Sequence, residues 1–214
     1  MSDEKAIYYP GEPLRSYMDA AASGSPAPGG GSVSATVGAL GAALVSMVGN
    51  LTIGKEKFAA VEEQAKELIS EAERLRRELI LLLQDDTTAY NGVIAAYKLP
   101  RETEEEKAAR HQAIQEGLIV AADVPLKTCR AGLRVCELAR VAAEIGNPNA
   151  ITDAGVAALL GEAAAQGAAL NVEINLGQID DENYKRTTSA EIADILARAA
   201  SLRDEVLRLT RAKL

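Results

Sequence analysis

The sequence predicts an all-α protein, an elongated bundle of about five to six helices built as one domain over residues 1–214. Three observations predict it. Apolar residues recur at steps of three and four through most of the chain, the period of an amphipathic helix. No alternation of period two runs far enough for a strand. Cap and stop signals mark helix ends, as at Pro13, Leu99-Pro100 and Thr103 to Glu106.

The 214 residues are 48% hydrophobic and 25% charged, an ordinary globular composition in a chain long enough to bury a substantial core. Trp is absent and Phe occurs once, so the core must be made of Ala, Leu, Val and Ile, and the helices must pack closely. The net charge of −8 disfavours nucleic acid or an anionic membrane as partner.

A short helix is expected from Pro13 to about Ala22, with proline in its first turn. Residues 23–32, SGSPAPGGGS, form a loop by composition. A helix of small residues follows, to about Ile53. Its segment 33–53 is uncharged and long enough to span a bilayer. Its wealth of Gly, Ala, Ser and Thr favours a buried core helix over a membrane span. Next comes the most regular stretch. Phe58, Val61, Ala65, Leu68, Ala72, Leu75, Leu79 and Leu82 form a helical seam that continues through Tyr90, Val93 and Tyr97. Leu99-Pro100 ends it. Forty helical residues measure about 60 Å, against about 45 Å for a compact domain, so this helix is either kinked or part of an elongated bundle. Thr103 to Glu106 is a capping box for a helix to about Ile145. Pro125 should kink or break that helix near Asp123. Residues 146–153, GNPNAITD, are a turn. Another small-residue helix runs from about Asp153 to Leu176. Thr188 to Glu191 is a second capping box, ahead of a final helix.

Cys129 and Cys136 lie seven residues apart, about 10 Å along a helix, too far to pair within it. They fit buried thiols in a reducing cytosol. The N-terminal residues 1–13 show no basic-then-apolar leader pattern.

The candidate chemistry sits in a few places. PAPGGGS, residues 26–32, puts three glycines before a helix, where exposed N–H groups could receive an anion or a carbonyl oxygen. A flexible surface turn would look the same. Asp86 continues the seam after Leu82, among apolar neighbours, whereas Asp85 falls off it. An ionised carboxylate there is costly unless paired. It is either a general acid or base with an adjustable pKa or a structural group that caps a kink or pairs with an Arg. Asp153 opens a helix, where an acid suits the dipole. Asn171 and Asn175 share one helix face and either bond to a neighbouring backbone or read the edge of a heterocycle. Lys55 ends the uncharged stretch, as a solvated helix end or as a cation for an anionic ligand. The single histidine, His111, stands among charges. No zinc-ligand spacing, GxSxG, P-loop or strand-linked GxGxxG is present. That leaves acid–base chemistry by carboxylate, lysine and backbone groups.

In order, PAPGGGSVSATVGALGAALVSMV, NLTIGKEKF, DDTTAYNGVIAAYKLP, ADVPL, GNPNAITDAG and NVEINL resemble the formiminotetrahydrofolate cyclodeaminase/methenyltetrahydrofolate cyclohydrolase family, from about Ser16 to Leu176. The resemblance implies a helical homodimer with folate sites near the subunit contact, and neither metal nor nucleotide cofactor. It makes Asp86, in D-x-x-A-Y, the catalytic residue. It places Gly29, Gly30, Gly31, Ser32, Lys55, Asp153, Asn171 and Asn175 at the folate. Thr152-Asp153 stands where the family usually has Ser-Asp. Two activities follow from the resemblance. One is hydrolysis of 5,10-methenyltetrahydrofolate to 10-formyltetrahydrofolate. The other is cyclisation of 5-formiminotetrahydrofolate with loss of ammonia. The stand-alone length and the KLPRETEEEKAAR segment favour the cyclohydrolase. A non-enzymatic helical assembly protein is the remaining reading.

Overall fold

The computed structural model describes residues 7–214. Part of the N-terminal stretch read above for a leader lies outside them. Six α-helices follow one another, α1 (Leu14–Ala21), α2 (Gly30–Asn50), α3 (Glu62–Tyr97), α4 (Glu104–Ile145), α5 (Ile151–Leu176) and α6 (Glu182–Ala212). A short 3₁₀ turn at Tyr9–Gly11 precedes α1, and others at Glu56–Val61 and Pro148–Ala150 lie between α2 and α3 and between α4 and α5. Among the described residues there is no strand.

From α2 onward the helices run up and down. Gly31 faces Asp86 and Gly49 faces Ile69, so α2 and α3 are antiparallel. Gly30 meets Asn171 and Gly41 meets Leu160, so α5 also opposes α2. The α3 helix covers 36 residues and α4 covers 42, about 54 and 63 Å of axis, which makes the bundle elongated. The seam of α3 buries Ala65, Leu68, Ala72, Leu75, Leu79, Leu82 and Val93. Alanine fills the contact of α2, α4 and α5: Ala35, Ala42, Ala122, Ala139, Ala154, Ala157, Ala158, Ala164, Ala165 and Ala168 are wholly buried. Small side chains let backbones touch. A Cβ at Gly132 of α4 would stand 2.7 Å from the carbonyl oxygen of Gly161 on α5. The apolar α2 lies in this core, against α3, α4 and α5, as the composition suggested.

Several boundaries differ from the sequence expectation. The glycine triplet is not all loop, because Gly30, Gly31 and Ser32 form the first turn of α2. Pro125 does not break α4, which is helical throughout. The Thr188–Glu191 capping box does not exist. Thr188 is buried inside α6, and Asp181 caps that helix by accepting the N–H groups of Asn183 and Tyr184, each at 2.9 Å. The Thr103 capping box is present, with Glu106 N–H donating to Thr103 Oγ1 and Thr103 N–H to Glu106 Oε2, both at 3.2 Å. Both cysteines are buried on α4, and burial pushes each thiol up to about 12.

Candidate active site

The start of α2 and the end of α5 flank the C-terminal half of α3 at one end of the bundle. A cleft of about 360 Å³ opens there, between the 26–30 loop, α3, α4 and α5. Asp86 lies in it with Gly29, Gly30, Asn171 and Asn175. The sequence brings these residues together because the seam of α3 points at α2, and the Gly30–Asn171 contact is too close for a larger residue to be neutral. A Cβ on Gly30 would stand 3.1 Å from Asn171 Nδ2.

Asp86 is half-buried and held from α2. The Ser32 N–H donates to its Oδ2 at 2.9 Å. Gly29, at the N-cap position of α2, supplies no side-chain oxygen, so Asp86 caps α2 from the neighbouring helix. Gly31 makes this possible, since a Cβ there would collide with the Asp86 carboxylate. Burial pushes the Asp86 carboxyl above its usual range, and the Ser32 N–H opposes part of that rise. The other titratable side chains of the cleft are Tyr90 and Tyr97, both on α3. The 26–30 loop, α4 and α5 face it with Ala27, Gly29, Leu118, Ala121, Asn171, Ile174, Asn175 and Gln178, all uncharged. Among the described residues no Lys or Arg lines the cleft, so the carboxylate has no protein cation to neutralise it.

The remaining expected site residues divide. Gly31 and Ser32 stand behind Asp86 and do not line the cleft. Ser32 is fully buried and shares a 2.9 Å hydrogen bond with the Tyr17 hydroxyl. Thr36 Oγ1 donates to that hydroxyl at 3.3 Å. Lys55 and Asp153 are at the other end of the molecule, at odds with the expectation for a site within one subunit. The 21 residues of α2, about 30 Å, separate Gly30 from the Lys55 segment. Lys55 Nζ donates to Leu51 O at 2.6 Å, and Asp153 sits in the first turn of α5. His111 is exposed and bonds to Asp180 at 2.9 Å.

Sequence reasoning missed Tyr17, Gln178 and the role of Tyr90 and Tyr97. Tyr90 follows Asp86 by one turn and Tyr97 by three, so the seam itself held that signal. Tyr97 donates its hydroxyl to Gln178 Oε1 at 3.1 Å, closing the far wall. Nothing in the local pattern around Tyr17 tied it to residue 32.

The Asn amides are oriented. Asn171 Nδ2 donates to Gly167 O at 2.8 Å. Asn175 Nδ2 donates to Asn171 O at 2.8 Å and Ala121 O at 3.0 Å. Among the described residues neither Oδ1 accepts a hydrogen bond, so each amide offers the cleft an acceptor. The cleft therefore has aromatic side chains, two acceptors and one uncompensated carboxylate. It suits a flat, cationic heterocycle with N–H donors, and proton transfer at it.

A helical bundle with a half-buried carboxylate in an otherwise uncharged cleft is an arrangement in which acid–base chemistry could run. The formiminotransferase-cyclodeaminase family model matches residues 13–211, and the chain belongs to that family. The methenyltetrahydrofolate cyclohydrolase of Methylorubrum extorquens is 45% identical over 202 residues, which cover 94% of this chain and 97% of that protein. The formimidoyltransferase-cyclodeaminase of Rattus norvegicus is 38% identical over 186 residues, 87% of this chain but 34% of that protein, so the chain spans about a third of this longer relative. The crystal structure of formiminotetrahydrofolate cyclodeaminase from Thermotoga maritima matches with a TM-score of 0.85 at 30% identity, over 94% of this chain and 96% of that one.

Proposed function

We propose that this protein hydrolyses 5,10-methenyltetrahydrofolate to 10-formyltetrahydrofolate, with Asp86 as general base and then acid. The observation that carries the proposal is the uncompensated Asp86 carboxylate in the uncharged cleft. The methenyl bridge is an amidinium-like cation, and a lone carboxylate attracts it without a protein cation competing. Asp86 takes a proton from the attacking water as its oxygen bonds to the bridge carbon. As the resulting carbinolamine breaks its bond to N5, its hydroxyl proton leaves to solvent and the C=O forms, Asp86 returns the first proton to N5, and the formyl group stays on N10. The raised pKa suits both halves of this transfer. Gly29 and Gly30 allow close approach of the pterin, while Asn171 and Asn175 accept its N–H donors. Near-complete coverage of both chains in the match to the Methylorubrum extorquens cyclohydrolase supports the same reading.

Cyclodeamination of 5-formiminotetrahydrofolate is the second reading, supported by the likeness to the Thermotoga maritima structure. N10 would attack the formimino carbon and give up its proton, and Asp86 would pass a proton to the amino group, which leaves as ammonia. Initial rates on the two substrates, measured side by side, decide between them. Cyclohydrolase predicts faster loss of the methenyl chromophore, and faster ammonia release from the formimino substrate overturns that choice.

The reading includes a homodimer and no resident metal or cofactor. Leu40, Met47, Val156, Leu159, Leu170 and Ile174 are exposed on α2 and α5. Ile174 also lines the cleft, so a second copy docked on this apolar face would adjoin the site. In an antiparallel pairing, the end bearing Lys55 and Asp153 would approach the other copy's cleft and give those residues the expected role. A rise in KM for Lys55→Ala tests that part. Among the described residues no three His, Cys, Asp or Glu side chains gather as a metal site, and turnover is expected to survive exhaustive chelation. Restoration of lost turnover by zinc would refute the metal-free chemistry. The two free, buried thiols fit a cytoplasmic location.

A further inference from the structure

Helix α4 holds a proline at its centre and remains helical from Glu104 to Ile145. Proline has no N–H, so the carbonyl four residues before it lacks its helical donor. That carbonyl belongs to Ala121, and the Asn175 side chain on α5 fills the vacancy with the 3.0 Å hydrogen bond from Nδ2. The same Nδ2 donates to Asn171 O at 2.8 Å. Both amide hydrogens are thus taken by main-chain carbonyls, one on each helix, and only Oδ1 is left for anything else. Ala121 and Asn175 line the cleft of Asp86, while Pro125 is fully buried.

We propose that Pro125 is a positioning residue of the substrate site: by withholding its own N–H it leaves the Ala121 carbonyl to grip Asn175, whose oxygen then faces the cleft as a fixed acceptor. The ligand group it receives is an N–H donor on a flat heterocycle, such as the amino group or ring N–H of a pterin. That identity rests on the folate reading above. The hold of Pro125 on Asn175 does not. An N–H at position 125 would compete for Ala121 O and let the carboxamide turn. A proline kept only to shape α4 would leave substrate affinity unaffected by its own removal.

Pro125→Ala supplies that N–H. It removes a proline from a helix interior but leaves a small cavity where the ring was buried, so its melting temperature serves as a check that the fold is kept. KM for 5,10-methenyltetrahydrofolate should rise about 2- to 10-fold, the range for one lost neutral hydrogen bond, with kcat falling by less. Asn175→Leu should raise KM comparably, and the double variant should be no worse than Asn175→Leu alone. Nuclear magnetic resonance should show the Asn175 side-chain amide protons exchanging slowly in the parent and freely in Pro125→Ala. A parental KM in Pro125→Ala, additive effects in the double variant, or unchanged amide exchange each overturns the proposal. Absence of turnover of both methenyltetrahydrofolate and formiminotetrahydrofolate by the parent would overturn the folate reading instead, and the exchange measurement would still decide whether Pro125 controls Asn175.

Discussion

Asp86 serves two purposes at once. It caps α2 through the Ser32 N–H and it is the one charge lining the cleft, a structural role beside the proton transfer proposed for it. Its raised pKa has consequences of fixed sign. As base it must be ionised, so the acid limb of kcat/KM should lie above the ordinary carboxylate range, and a limb at or below that range contradicts the assignment. For stability, the folded state favours the protonated form. The contribution of Asp86 is most favourable in acid and is lost as pH rises through its folded-state pKa. Asp86→Asn keeps an oxygen for the Ser32 N–H and sheds the charge. Its melting temperature relative to the parent should therefore improve as pH rises from acid to neutral, which a pair of thermal melts would check. Tyr17 matters by support. Tyr17→Phe leaves the buried Ser32 hydroxyl without its partner, and should cost about 1 kcal/mol of stability and lower kcat more than it raises KM. Parental stability and kcat would remove Tyr17 from the support of the site. The seam period made Asp86 legible and also put Asp85 outside, exposed as expected. Tyr17 was not legible, because its hydrogen bond to Ser32 depends on how α1 folds back over α2.

At the scale of the helices, period and caps were readable wherever one apolar face set them. The Thr103 box and the α3 stripe are where the sequence put them. In two of three departures a partner from another element supplied what the local signal lacked, and in the third Asp181, a cap earlier in the chain, starts α6 so that Thr188 falls inside it. Asp86 caps the glycine-rich start of α2, Asn175 satisfies the carbonyl freed by Pro125, and Thr188 is buried in α6. The α4–α5 contact gives a direct test of packing. Gly132→Ala would push a Cβ into the Gly161 carbonyl, main chain that cannot turn aside. A loss of about 1–3 kcal/mol is expected in chemical denaturation, and an unchanged midpoint would mean that the two backbones have room to separate.

Across the whole molecule, residues near in sequence motifs are far apart in space. Gly30 and Lys55 bracket one helix, so the chain keeps Lys55 and Asp153 away from its own cleft, a separation invisible until helix directions are known. The exposed apolar face of α2 and α5 is where the proposed second copy would dock. Leu40→Glu should shift the light-scattering mass toward the monomer, and a monomeric parent at micromolar concentration would refute the dimer. The most direct measurement is the initial rate of 5,10-methenyltetrahydrofolate hydrolysis by the parent, Asp86→Asn and Asp85→Asn at one pH, with melting temperatures taken on the same samples. Asp86→Asn should lose about 10²–10⁴-fold in turnover while melting no lower than the parent, and Asp85→Asn should stay near parental. Near-parental turnover in Asp86→Asn, or the larger loss in Asp85→Asn, would contradict the assignment of Asp86 as the group that moves the proton.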